Sequence, residues 1–177
     1  MHERIVFTCQ KILRLLNVLA LVSVCVACAS SPKNDSMSVR YVADHGINPD
    51  INGRASPVAV TFYRLRDATV FKSADYMTLM ERDAELLGDS LLSKERIILR
   101  PGETQEQIYL LNGEERAYGI VAGYRSIDAG GWKLVGDMPK ARSGFMKVVR
   151  HRQSRHAKTI FIGKKSLQED VGSILNE

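Results

Sequence analysis

Residues 96–135 read RIILRPGETQEQIYLLNGEERAYGIVAGYRSIDAGGWKLV, and short apolar runs alternate in them with turn-forming residues. The apolar runs are residues 96–99, 106–111, 117–125 and 132–135. Pro101-Gly102 and Asn112-Gly113 separate the first three runs and are typical of tight turns between strands. Four short strands at this spacing indicate a β-sandwich.

Two further strands are predicted upstream of this stretch. Residues 38–44 and 57–65 alternate apolar and polar side chains with a period of two. Between residues 67 and 92 the apolar spacing changes to three and four, with Ser73 as the expected N-cap and Gly88 as the expected stop. This change predicts a short helical insertion between strands.

Downstream, residues 145–149 and 159–162 also have the composition of strands. The predicted strands and helices do not alternate regularly along the chain, so a parallel α/β fold is not indicated. The sequence therefore predicts an all-β protein, an antiparallel β-sandwich with one helical insertion.

Length and composition fit one folded domain with a tail. The chain has 177 residues, of which 45% are hydrophobic and 25% charged, and its formal net charge is +5. These values exclude a disordered chain and a collagen-like repeat. The predicted domain covers residues 38–165, and residues 166–177 are predicted to be a polar C-terminal tail.

The N-terminus has the profile of an export signal. Basic Arg4, Lys11 and Arg14 precede the apolar run of residues 15–27. Because a membrane-spanning helix needs about 20 apolar residues, this shorter run indicates a cleaved signal peptide over residues 1–27.

The end of the apolar run predicts lipidation. Ala27-Cys28 resembles a bacterial lipobox, in which a small residue precedes the acylated cysteine. Cys28 would be the single cysteine left after cleavage, and an acylated thiol cannot form a disulfide. Residues 28–37 are then a lipidated N-terminus and a flexible tether. The alternative is an ordinary secretory signal cut near Ala29.

Nothing in the sequence forms a recognisable catalytic or metal site. The mature chain would hold three histidines, His45, His151 and His156, and no Gly-x-Ser-x-Gly motif. His45 follows Asp44 in a turn, where local hydrogen bonding is far commoner than catalysis or metal binding. We therefore expect no enzymatic activity and no cofactor.

Two other segments are candidates for binding a partner. From Pro139 to Ser166 the chain has nine basic residues and no acidic one. Such a segment is either a solvated hairpin or a face for an anionic partner, which in an exported protein is a lipid headgroup, a cell-wall polymer or an acidic protein surface. The second segment is the turn-rich loop of residues 44–56, which contains Ile47, Asp50, Ile51 and Arg54. Its isoleucines either bind a partner or fold back to close the end of the sandwich.

Taken in order, these features resemble a known family, the TssJ outer-membrane lipoproteins of the type VI secretion system. The residues that carry the resemblance are the lipobox at Cys28, residues 47–58, residues 60–66, Phe71 with Ala74-Asp75-Tyr76 and Leu79, residues 100–103, residues 120–125 and Trp132. The resemblance covers roughly residues 39–135 and ends before the basic segment.

The resemblance implies a transthyretin-like β-sandwich, tethered by lipid to the periplasmic face of the outer membrane and without enzymatic activity. Ala29 and Ser30 lack the aspartate that retains enterobacterial lipoproteins in the inner membrane. The implied partner is the periplasmic domain of the IcmF-like inner-membrane protein TssM, bound by the loop between the first two strands. The residues that this assigns to partner binding are Ile47, Asn48, Asp50, Ile51, Asn52 and Arg54.

Overall fold

Eight strands and three short helices form the described part of the chain, which is residues 35–127, 130–139 and 155–170 of this computed structural model. The strands are β1 (Ser36–Ala43), β2 (Val58–Leu65), β3 (Leu91–Leu99), β4 (Thr104–Leu110), β5 (Ala117–Ala122), β6 (Lys133–Asp137), β7 (Arg155–Ile162) and β8 (Leu167–Asp170). The helices are α1 (Thr69–Ser73), α2 (Tyr76–Glu81) and α3 (Asp83–Leu87), and a 3-10 turn (Gly88–Ser90) leads into β3.

The strands form two four-stranded sheets. The first sheet has the order β4-β1-β7-β8 and the second has the order β3-β2-β5-β6. All pairs are antiparallel except β1 with β7, which run parallel with Ser36 opposite Arg155. This parallel pair departs from the antiparallel expectation. β7 begins at Arg155 beside Ser36, so it starts at the same end of the first sheet as β1 and runs in the same direction.

The main core lies between the two sheets and confirms the predicted sandwich. Val58, Val60 and Phe62 on β2 all point into it, as their period of two predicts. Across the core they meet residues of β1 such as Val39 and Tyr41, which are also fully buried. Burial of each such side chain contributes about 1.5–3 kcal/mol relative to exposure.

The helical insertion packs on the other face of the second sheet. Tyr63 and Leu65 of β2 point to that face and are buried with Phe71 of α1 and Leu79 of α2. The two central strands of the second sheet, β2 and β5, are therefore buried on both faces, and the predicted insertion between strands is confirmed.

The predicted start of the insertion was wrong in detail, and its predicted stop was right. Asp75, not Ser73, is the side-chain N-cap, accepting a hydrogen bond from the backbone of Thr78 at the start of α2. Gly88 ends α3 with φ +47, a conformation that favours glycine. β3 then begins at Leu91, several residues before the predicted strand at Arg96.

Both predicted domain boundaries require correction. Ser36 and Met37 were assigned to the tether of residues 28–37, but they belong to β1, and Met37 is fully buried. At the other end, residues 166–177 were assigned to a tail, but Leu167–Asp170 forms β8 against β7. In both places backbone pairing with a neighbouring strand extends the sheet beyond the residues whose local pattern predicts a strand.

Other predictions lie outside the described residues. These are the signal peptide of residues 1–27, the lipidation site Cys28, the strand at residues 145–149 and the end of the tail. Among the described residues, no helix combines the length and the apolar character needed to cross a bilayer.

Candidate functional site

The loop that joins β1 to β2, residues 44–57, crosses from the first sheet to the second at one end of the sandwich. β1 enters the sheet at Ser36 and leaves it at Ala43, at the start of this loop. We call this the loop end, and we call the opposite end, where Ser36 lies, the tether end. The eight residues of β1 separate the two ends by about 25 Å.

Asp50 organises the tip of the loop. Its Oδ1 accepts hydrogen bonds from the backbone N–H groups of Asn52 and Arg54, both at 2.9 Å. Its Oδ2 accepts from Arg54 Nε at 2.8 Å. The hydrogen bond from the Arg54 backbone is the largest influence on the Asp50 carboxyl and lowers its pKa. Desolvation opposes this effect, and the Arg54 side chain, the Asn52 backbone and the charge of Arg125 lower the pKa further. Asp50 therefore keeps these bonds at neutral pH and loses them as the pH falls through its lowered pKa.

The tip presents Ile51 to solvent. Gly53 has φ +77, and its N–H donates to the Asp50 carbonyl at 2.9 Å, which closes the turn around residues 51 and 52. The Ile51 side chain is 99% exposed. A fully exposed isoleucine on a hydrogen-bonded turn is unusual, because nothing in the fold gains from its apolar surface.

Ile47 and Asn48 were assigned to partner binding together with Ile51, and the structure corrects this. Ile47 is 0% exposed and belongs to the core between the sheets, where it closes the loop end of the sandwich. Asn48 is also buried, and its side chain holds the loop to the rest of the domain. Its Nδ2 donates to the Pro57 carbonyl at 2.8 Å, and its Oδ1 accepts from the Arg125 backbone N–H at 2.8 Å.

Replacing Asn48 with alanine is expected to lower the free energy of unfolding by about 1–3 kcal/mol, since two hydrogen bonds are lost. Asn48 also has φ +45, which asparagine adopts more readily than alanine. Urea unfolding followed by fluorescence of Trp132, the one tryptophan, measures the change. Asn52→Ala is the matched control, since Asn52 is exposed on the same loop. Equal stability of the two variants would contradict this role for Asn48.

Two other turns lie beside the loop. The turn between β3 and β4 is attached by the Gly102 N–H, which donates to the Asp44 carbonyl at 3.2 Å, and by the Glu103 carbonyl, which accepts from Ala43 at 2.9 Å. The turn between β7 and β8 is attached by the Lys164 carbonyl, which accepts from the Asn48 N–H at 3.1 Å. The loop end is therefore a single surface built from both sheets.

The described part of the basic segment 139–166 is Pro139 and residues 155–166, and its lysines lie in two different places. Lys158 lies on β7 and forms an ion pair with Glu169 of β8. Lys164 and Lys165 lie in the turn between β7 and β8 and are exposed at the loop end. Sequence reasoning missed this placement because it follows from the β7–β8 hairpin. The polar residues 163–166, which precede Leu167, were the one local indication of a turn there.

The described residues contain little that suggests catalysis. His45 is exposed and lies over Gly102, where an added Cβ would come within 2.6 Å of its ring. Across residues 35–127, 130–139 and 155–170, no three His, Cys, Asp or Glu side chains converge in a way that could hold a metal ion.

Comparison with known proteins gives the family and the fold. Residues 35–160 match the family described as type VI secretion lipoprotein (VasD, EvfM, TssJ). Among solved structures, the type VI secretion lipoprotein TssJ1 from Pseudomonas aeruginosa is 27% identical with a TM-score of 0.68, over 77% of this chain and 95% of that one. A comparison with curated proteins gave no match.

Two more distant structures share the fold. Serratia marcescens Lip, described as a membrane-bound component of the type VI secretion system, is 23% identical with a TM-score of 0.70, over 79% of this chain and 99% of that one. A chain in a structure described as the TssM C-terminal domain from EAEC is 19% identical with a TM-score of 0.61, over 76% of this chain and 97% of that one. The resemblance seen in the sequence is thus confirmed, and the chain belongs to the type VI secretion lipoprotein family.

Proposed function

We propose that this protein is a structural lipoprotein that anchors the membrane complex of the type VI secretion system to the outer membrane. In this proposal, acylated Cys28 holds the protein at the periplasmic face of that membrane. The tip of the loop, centred on Ile51, binds the periplasmic domain of the IcmF-like inner-membrane protein TssM. The observation that carries the proposal is the exposed Ile51 on an ordered turn, at the end of the domain remote from the tether.

The direction in which the chain runs along β1 supports this arrangement. The chain enters the domain at Ser36 and the loop leaves it at Ala43, so the two proposed contacts lie at opposite ends. The chain between Cys28 and Asp35 can span at most about 25 Å. In this arrangement the membrane contact would be made at the tether end, and the loop end, about 25 Å along β1, would be left for an inner-membrane partner.

The internal bonding of the loop favours protein binding. Asp50, Gly53 and Arg54 hold the tip in one conformation through backbone and side-chain hydrogen bonds. Binding then requires little further ordering of the chain, so more of the contact free energy remains as affinity. A single exposed aliphatic side chain at the centre of such a tip fits an apolar pocket on a partner.

The comparisons support the choice of partner. A chain with this fold occurs in a structure described as the TssM C-terminal domain, and another occurs in one described as a type VI membrane complex. The family is one of lipoproteins, which agrees with Cys28 as the anchor. The proposal needs no cofactor and no catalytic group.

The test is calorimetric titration of the mature lipidated protein, in detergent micelles, with the periplasmic domain of TssM from the same host. We expect binding at micromolar affinity or tighter. Ile51→Asp is expected to weaken it about 30-fold or more, because a carboxylate loses its hydration in an apolar pocket.

The matched control is Met77→Asp, which places the same charge on an exposed apolar position of α2 and should leave the affinity within about twofold. No binding by the unaltered protein would refute TssM as the partner. Binding that survives Ile51→Asp would move the interface away from the tip of the loop.

A further inference from the structure

The surface around Ile51 is basic. Five basic side chains are exposed at the loop end, and they come from four separate segments of the chain: Arg54, Arg100, Arg125, Lys164 and Lys165. Three acidic side chains lie among them in the described residues: Asp44, Asp50 and Glu103. The sequence does not reveal this cluster, because its members are spread over more than 100 residues of the chain.

Several of these positive charges are not neutralised locally. Arg54 is paired with Asp50 at 2.8 Å. The charge of Arg125 also acts on Asp50 and helps to lower the pKa of that carboxyl. Within residues 35–127, 130–139 and 155–170, however, no carboxylate lies within ion-pair distance of Arg125, Lys164 or Lys165. Exposed lysines and arginines left without partners keep their charge available to a binding surface.

The backbone at Lys164 and at Arg125 is hydrogen-bonded to the loop that carries Ile51. The Lys164 carbonyl accepts from the Asn48 N–H at 3.1 Å, and the Arg125 N–H donates to the Asn48 side chain at 2.8 Å. Asn48 is thus the common attachment point of the loop, the β7–β8 turn and the segment after β5. The apolar tip and its basic surroundings therefore form one preassembled surface.

We infer that the binding face is this whole surface, and that it recognises a protein surface carrying an apolar pocket for Ile51 with carboxylates around it. Lys164, Lys165 and Arg125 would pair with those carboxylates. The inference rests on the proposed function and adds the chemistry of the partner to it. Charges at the rim of an interface mainly speed association and select the partner, while the buried apolar contact sets the lifetime of the complex.

A lipid surface is a poorer occupant for this face. The loop end is the end of β1 remote from Ser36, so in the proposed arrangement a lipid anchor at Cys28 would join the chain at the opposite end of the domain. The exposed Ile51 between the basic groups also favours a protein pocket over a purely anionic polymer, which offers charge without an apolar recess.

The test compares Lys164→Glu/Lys165→Glu with a control that makes the same charge change elsewhere, Lys72→Glu/Arg82→Glu on the helical layer. Each variant is prepared as the mature lipidated protein in micelles, and association with the TssM periplasmic domain is followed by surface plasmon resonance. The loop-end variant is expected to associate at least about tenfold more slowly at low salt, and the control to associate like the unaltered protein.

The unaltered protein provides a second readout that needs no substitution. Its association rate is expected to fall steeply as salt rises from about 0.02 M to about 0.5 M, and the loop-end variant is expected to show a flatter dependence. The inference would be overturned if the loop-end variant associated as fast as the unaltered protein and salt did not change the association rate of the unaltered protein. TssM binding itself would then still stand. No binding by any of the proteins would refute the proposed function itself.

Discussion

Phe62→Ala is expected to lower the free energy of unfolding by about 3–5 kcal/mol, a large part of the stability of a typical domain. Phe62 is 2% exposed and lies in the middle of β2. Its ring stacks on Tyr109 of the first sheet with 4.0 Å between centroids, and on Tyr118 of its own sheet at 5.6 Å. Alanine removes the central ring, so Tyr109 and Tyr118 both lose their stacking contact and a cavity remains between the sheets.

Urea unfolding of the mature protein, followed by Trp132 fluorescence, measures this change. Trp132 is a suitable reporter because its ring packs edge-on against Tyr76 at 5.2 Å and loses that contact on unfolding. Phe161→Ala is the control, since Phe161 is 42% exposed on β7 and should cost less than about 1 kcal/mol. Similar losses for the two variants would mean that the aromatic stack does not hold the sheets together.

Cys28→Ser is expected to remove the protein from the outer-membrane fraction completely. A serine cannot form the thioether that carries the diacylglycerol, and the anchor is lost with it. Each buried CH₂ of an acyl chain contributes about 0.8 kcal/mol, so several chains hold a protein firmly and their loss releases it. Membrane fractionation shows the distribution, and mass spectrometry of the mature N-terminus shows the acyl chains.

The alternative of an ordinary secretory signal gives a different result. In that case the unaltered protein would carry no acyl mass, and Cys28→Ser would fractionate in the same way as the unaltered protein. Alanine at Cys25 is a control for the cysteine itself, since residue 25 would be removed with the signal peptide. If the substitution at Cys25 abolished acylation instead, the lipidated residue would be Cys25 and not Cys28.

Local patterns in the sequence predicted most of the sandwich. β1 and β2 were recognisable because each alternates between the core and the opposite face of its sheet. β8 was not, because Leu167 is its only apolar residue and its identity as a strand comes from pairing with β7. The start of β3 was also missed, since Lys94 to Arg96 are exposed and the leucines before them fit a helix equally well.

The loop shows where such patterns fail. Ile47 and Ile51 are the same residue type, four positions apart, and one is fully buried while the other is fully exposed. The difference comes from long-range bonding, in which Asn48 ties the first part of the loop to Arg125 and Lys164. Local sequence does not encode those contacts. The sequence therefore indicated a candidate binding loop, but it did not indicate which of the two isoleucines is exposed.

In the proposed arrangement the protein binds its partner with the loop end, and the tether end faces the membrane. Photo-crosslinking in intact cells distinguishes the two ends, with a photoreactive amino acid at Ile51 or at Leu110, an exposed residue paired with Ser36 at the tether end. We expect a crosslink to TssM from position 51 and none from position 110. A crosslink to TssM from position 110 with none from position 51 would contradict it.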